Sequence, residues 1–149
     1  MTEAERIAIE GRAVLLYDGV CGLCNGSVRF LLRHDRLDRL RYAPMQSALG
    51  REILGRLGEH SFPDGVVLVT NVLTPQERLY RRSDAVAAAL QLLGTPWRLL
   101  GRALMLVPGP LREWGYGIVA RLRYRVFGRY TTCPVPAPNQ RNRLLGVYE

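Results

Sequence analysis

A run of five apolar residues, Ala13–Tyr17, leads through the turn signal Asp18-Gly19 into Cys21-Gly22-Leu23-Cys24. In the stretch that follows, to His34, Val28, Leu31 and Leu32 recur at helical spacing. This succession constrains the fold more than any other feature. An unbroken apolar run of this length fits a strand covered on both faces, and the later spacing fits a helix with one apolar side. Two thiols at i and i+3 therefore fall at a strand-to-helix junction. The first lies where free N–H groups and the positive end of the helix dipole favour a thiolate. A thiolate attacks disulfides, and a second thiol one turn away can resolve the mixed disulfide.

The rest of the chain extends the alternation. Leu40–Met45 reads as a second strand, and Ser47 as the cap of a helix over Ala48–Leu57 that ends near Gly58. Val66–Thr70 and Glu77–Arg81 read as a hairpin around the turn Asn71–Gln76. Ser83 reads as the N-cap of Ala85–Leu93, with Asp84 a first-turn carboxylate. A helix from Pro96 to Val107, the break Pro108-Gly109-Pro110 and a long helix from Leu111 to Phe127 follow. Residues 1–12 read as a poorly ordered lead-in or one short helical turn, and residues 13–149 as one domain. The first strand–helix–strand unit implies a parallel pair with a right-handed crossover, and the hairpin adds an antiparallel pair. The expected fold is α/β: a thioredoxin-like mixed four-stranded sheet with flanking helices and a C-terminal helical extension over about residues 95–128.

Composition excludes several classes. With 149 residues, 48% of them hydrophobic, the chain can bury a core and is not a disordered tail. Met1–Arg12 has no apolar signal region, and Leu99–Ala120 is interrupted by Arg102, Arg112 and Glu113, so neither a secretory leader nor a membrane span is expected. Three cysteines without a leader suit a reducing cytoplasm and a catalytic role better than a disulfide scaffold. The formal charge is +8, yet every one of the 21 basic residues is arginine, which excludes lysine-based Schiff-base or P-loop chemistry. No nucleic-acid docking motif accompanies the charge.

Tyr17 to Asn25 goes further than a bare pair of cysteines. With Asp18, Cys21 and Cys24 it resembles the Asp-x-x-Cys-x-x-Cys motif of the DCC family of thiol–disulfide oxidoreductases. Arg82-Ser83-Asp84-Ala85 is similar to that family's Ser-Asp-Ala helix start, Tyr116–Gly128 to its closing helix, and Cys133-Pro134 to its end. The resemblance covers about Ala13 to Leu145 and implies a thioredoxin-like fold and dithiol–disulfide exchange.

Cys21 is the candidate nucleophile and Cys24 the resolving thiol, expected to be the less exposed of the two. Asp18 either accepts a proton from Cys24, tunes a nearby thiol through its charge, or bonds turn N–H groups of Val20 or Cys21. Gly22, Leu23 and Pro63 are candidates for substrate contact, Pro63 being the positional candidate for a cis-proline opposite the cysteines. Its bland alternative is an ordinary trans loop proline. Cys133, in a proline-constrained tail, reads first as an inert buried thiol, with approach to the active site in space or an intermolecular disulfide as the alternatives. His34 and His60 lack the paired spacing of a zinc site. The expected activity is protein-disulfide reduction without a bound cofactor, on a disulfide-containing protein or small molecule, with electrons from another thiol system. The competing reading is a non-catalytic thioredoxin-like module whose basic C-terminal helices bind a protein or a membrane surface.

Overall fold

The computed structural model describes residues 1–19, 21–59, 65–127 and 143–145, with the side chains of Gly22, Leu23, Arg123, Tyr124 and Phe127 left aside. Its order is α1 (Glu3–Ile9), β1 (Ala13–Tyr17), α2 (Gly22–His34), β2 (Leu40–Pro44), α3 (Ala48–Arg56), β3 (Val67–Thr70), β4 (Arg78–Arg81), α4 (Arg82–Leu92), α5 (Trp97–Leu106) and α6 (Gly109–Phe127). The sheet order is β2-β1-β3-β4. β1 pairs parallel with β2, in register Leu15 to Tyr42, and antiparallel with β3, which pairs antiparallel with β4. The expected mixed four-stranded α/β sheet is the one found.

Alternation along the central strand divides the core. Ala13, Leu15 and Tyr17 join Tyr42, Leu68, Cys24, Val28, Ala85 and Ala89 on one face. Val14 and Leu16 join Ile9, Leu49, Ile53, Val67 and Val69 on the other. Successive side chains of a strand point to opposite faces, so β1 is apolar throughout because helices cover both.

One expectation is extended and one needs correction. The lead-in is a seven-residue helix, begun by a capping box in which the Thr2 hydroxyl accepts from Glu5 N–H and the Glu5 carboxylate accepts from Thr2 N–H. Ile9 at its end is fully buried beneath β1. Ser83 is not an N-cap: α4 starts one residue earlier, Arg81 precedes it with no side-chain cap bond, and the Ser83 hydroxyl turns to α6. Arg82 opens that helix at φ +54°, in the left-handed region. Its guanidinium lies 4.9 Å over the Tyr116 ring and its Nε donates to Glu113 at 2.7 Å.

These contacts anchor α6, the longest helical extension, against α4. Glu113 is held below the ordinary carboxylate value by the Ser83 hydroxyl and then by Arg82. Glu77 is held low by Arg56, and Asp38 by Arg41. A carboxylate with a lowered folded value contributes stability that is fully present above its unfolded value and is lost as pH falls through the folded one. The urea midpoint is therefore expected to hold steady from neutral pH to about 5 and to fall below about pH 4. Glu113→Gln is expected to flatten part of that acid limb. An unchanged limb would mean that the α6 anchor is not charge-assisted.

Candidate active site

The motif closes a turn at the end of β1. Cys21 N–H donates to the Asp18 carbonyl at 3.2 Å, reversing the chain. Cys21 is extended, at φ −84° and ψ 124°, and is the N-cap of α2: its Sγ accepts from Cys24 N–H at 3.4 Å. That bond strengthens when the sulfur is anionic, and it satisfies one of the N–H groups a helix start leaves over. Cys24 sits one turn in, and both cysteines are free thiols.

Two side chains without an assigned role in the sequence hold this turn. Asn25, buried, donates through Nδ2 to the carbonyls of Gly19 and Cys21, both at 2.9 Å. Gln46, just beyond β2, accepts from Gly19 N–H at 3.1 Å and donates to Asp18 Oδ1 at 2.9 Å. Asn25 stands inside the motif, so position alone marked it. Gln46 lies 27 residues from Gly19, and no local signal in the sequence links them.

The expected order of exposure is reversed. Cys21 is 0% exposed and Cys24 6%. The clamped turn encloses Cys21, whereas Cys24 lies in the wall of a cavity of about 660 Å³ between α2, α4, α5 and α6. Gly22 and Leu23 form the first positions of α2. Pro63 lies outside the described residues, as do His60, Cys133 and the tail prolines.

His34 is not drawn to the thiols. Its Nδ1 lies 2.8 Å from the Phe30 carbonyl, and its ring packs 4.4 Å from Phe30 and 5.0 Å from Trp97. Among the described residues no group of three His, Cys, Asp or Glu side chains is placed to hold a metal. Nor is any described helix long and apolar enough to cross a membrane.

Comparison with known proteins gives this geometry its family. The pattern of the DCC1-like thiol-disulfide oxidoreductases matches residues 15–129, from the middle of β1 to just past α6. The chain belongs to that family. A chloroplastic DCC family protein of Arabidopsis thaliana is 38% identical over 122 residues, covering 82% of this chain and 69% of the relative. The uncharacterized protein YuxK of Bacillus subtilis (strain 168) is 33% identical over 133 residues, covering 89% and 93%. No solved structure matches. The matched span contains both Cys21 and Cys24, so the family's thiol–disulfide redox role attaches to the chain as a whole, while the part each thiol plays is a matter of mechanism.

Proposed function

We propose that the chain is a dithiol–disulfide oxidoreductase acting through Cys21 and Cys24. The observation that carries the reading is Cys21 Sγ at the N-cap of α2, accepting the Cys24 N–H. In this mechanism the Cys21 thiolate attacks a substrate disulfide, forming a mixed disulfide and expelling one substrate thiolate. Cys24 then attacks the Cys21 sulfur, closing the Cys21–Cys24 disulfide and releasing the second thiolate. The substrate gains two electrons and two protons, and a separate thiol donor restores the pair. Because Cys21 is enclosed at rest, attack begins with an outward movement of the turn from Asp18. Gly22 and Leu23, beside it, are the residues offered to the incoming disulfide, with Pro63 as a further candidate. The reading places this activity in the cytoplasm, where thiol donors abound.

Cys24→Ser tests the order of steps. With resolution removed, substrate is expected to accumulate as a mixed disulfide on Cys21, found by peptide mapping. If substrate is found on neither Cys21 nor Cys24 of the two single variants, the mechanism is wrong. For Asp18, the proposal is assistance in resolution through its charge. Asp18→Asn is then expected to change the pH dependence of the resolving step, and an unchanged profile would leave Asp18 as a turn residue tied to Gln46.

One observation favours a second reading, a surface-binding role for the C-terminal helices. Leu106, Leu111, Trp114 and Val126 are exposed at 86%, 56%, 67% and 65%, among arginines 98, 102, 121 and 125 that make no ion pair among the described residues. Exposed apolar side chains flanked by arginines suit an anionic membrane surface. Co-sedimentation with phosphatidylglycerol vesicles but not phosphatidylcholine vesicles, equally by wild type and by a chain lacking both thiols, would support it. Failure to sediment with either would remove it.

A further inference from the structure

The cavity beside Cys24 has a character that the two-thiol mechanism does not use. It measures about 660 Å³, within the range of sites that hold small organic ligands. Its wall is formed largely by Leu15, Phe30, Leu90, Leu104 and Val119, with Cys24 as its only described thiol. Apart from Ser27, the polar side chains on it are already engaged. Arg112 is ion-paired with Asp84 and donates to Ser83 Oγ at 3.0 Å. Ser83 in turn donates to Glu113, which pairs with Arg82. Tyr116 OH accepts from Val66 N–H at 3.0 Å. Arg112 is the one charged side chain among the described wall residues, and it is paired, so a charged ligand would give up hydration there without gaining a free counter-charge.

Two glycines add an independent observation. Gly26 in α2 and Gly115 in α6 both border the cavity, and a Cβ added at either would meet nothing within 4 Å. Glycine inside a helix is less stable than alanine. At Gly50 and Gly101 crowding explains it, because a Cβ would fall 2.3 Å and 2.7 Å from backbone oxygens. At Gly26 and Gly115, as at Gly55 of α3, there is no crowding, and because Gly26 and Gly115 border the cavity a large side chain at either would stand at its edge.

We infer that this cavity binds a small, uncharged dithiol with an apolar body, which reduces the Cys21–Cys24 disulfide through Cys24. The inference rests on the redox reading above and names the class of its thiol donor. One donor thiolate attacks Cys24 Sγ, forming a donor–Cys24 disulfide and breaking the Cys21–Cys24 bond, with Cys21 leaving as a thiolate whose sulfur stands at the N-cap of α2. The donor's second thiol then attacks its own sulfur in that mixed disulfide, closing the donor's intramolecular disulfide and expelling Cys24. The pair gains two electrons, and the two protons of the donor end on the two cysteines. Substrate is thus handled at Cys21 and the donor at Cys24, from different sides of the helix start.

Dihydrolipoamide and dihydrolipoate make a matched pair of probes, with the same dithiol and a terminal amide or carboxylate. In stopped-flow reduction of the oxidised full-length chain, dihydrolipoamide is expected to react at least about tenfold faster, against the pull of a +8 chain on the anion. Gly26→Leu and Gly115→Leu, on two different helices, are each expected to erase that preference while circular dichroism shows the fold retained. Lipoamide binding to the Cys21→Ser/Cys24→Ser chain, read by calorimetry, tests the cavity without chemistry and is expected to weaken at least about tenfold in either leucine variant. Equal rates for the two probes and no lipoamide binding would overturn the inference while leaving Cys21 exchange standing. Binding without any thiol exchange in the wild type would overturn the donor assignment through the redox reading instead.

Discussion

Cys21→Ser is expected to lower disulfide-exchange turnover by at least about 10³-fold while leaving the fold as stable as before. The two halves of that expectation come from one position. As the nucleophile, Cys21 contributes a polarizable sulfur that a hydroxyl does not replace. As the N-cap of α2 it contributes a side-chain acceptor for Cys24 N–H, and serine is a preferred residue for that task. Loss of activity with an unchanged thermal midpoint separates chemistry from structure. Full retention of exchange by the variant would contradict the assignment, and a collapsed midpoint would show that the sulfur is needed for packing.

Asn25→Ala carries the second large effect, and here stability and activity move together. Its Nδ2 satisfies two main-chain carbonyls at the motif turn, both at 2.9 Å. Asn25 is buried, so its removal leaves the Gly19 carbonyl without its side-chain donor, while the Cys21 carbonyl keeps the Asn25 backbone N–H at 3.0 Å. A buried group left unsatisfied costs about 1–3 kcal/mol, so the substitution is expected to destabilise the chain by about that amount. For a chain of this size that is a midpoint lower by about 2–12 °C. The freed turn also uncovers Cys21, and alkylation of Cys21 is expected to quicken even at temperatures where the variant is folded. Unchanged stability and unchanged alkylation would show that the clamp is redundant with Gln46.

Strands β1 and β3 were legible as short apolar or β-branched runs, β2 by its stop at Pro44 and β4 as the returning arm of a hairpin, and all lie within a residue of their expected ends. Helix α2 was legible from Val28, Leu31 and Leu32 at helical spacing. What escaped depended on partners distant in sequence. Helix α1 carries its capping box openly in Thr2 and Glu5, but its one buried residue, Ile9, finds its place only once the far face of β1 exists. Ser83 looks like a cap because serine so often is one. Its true partners, Glu113 and Arg112, stand about thirty residues away on α6. Gln46 reaches Asp18 only because the parallel pairing of β1 and β2 sets Tyr17 beside Pro44. The cavity was invisible for a related reason: it is the space four helices leave between them, and no segment announces it.

The most direct test of the central claim is a redox titration of the whole chain in defined dithiothreitol or glutathione buffers, with free thiols alkylated and each cysteine read by mass spectrometry. The account predicts a reversible Cys21–Cys24 disulfide that forms and breaks at one well-defined potential. Two thiols that stay reduced and react slowly across the whole range would contradict it, and would leave the exposed α5–α6 surface as the functional part of the molecule.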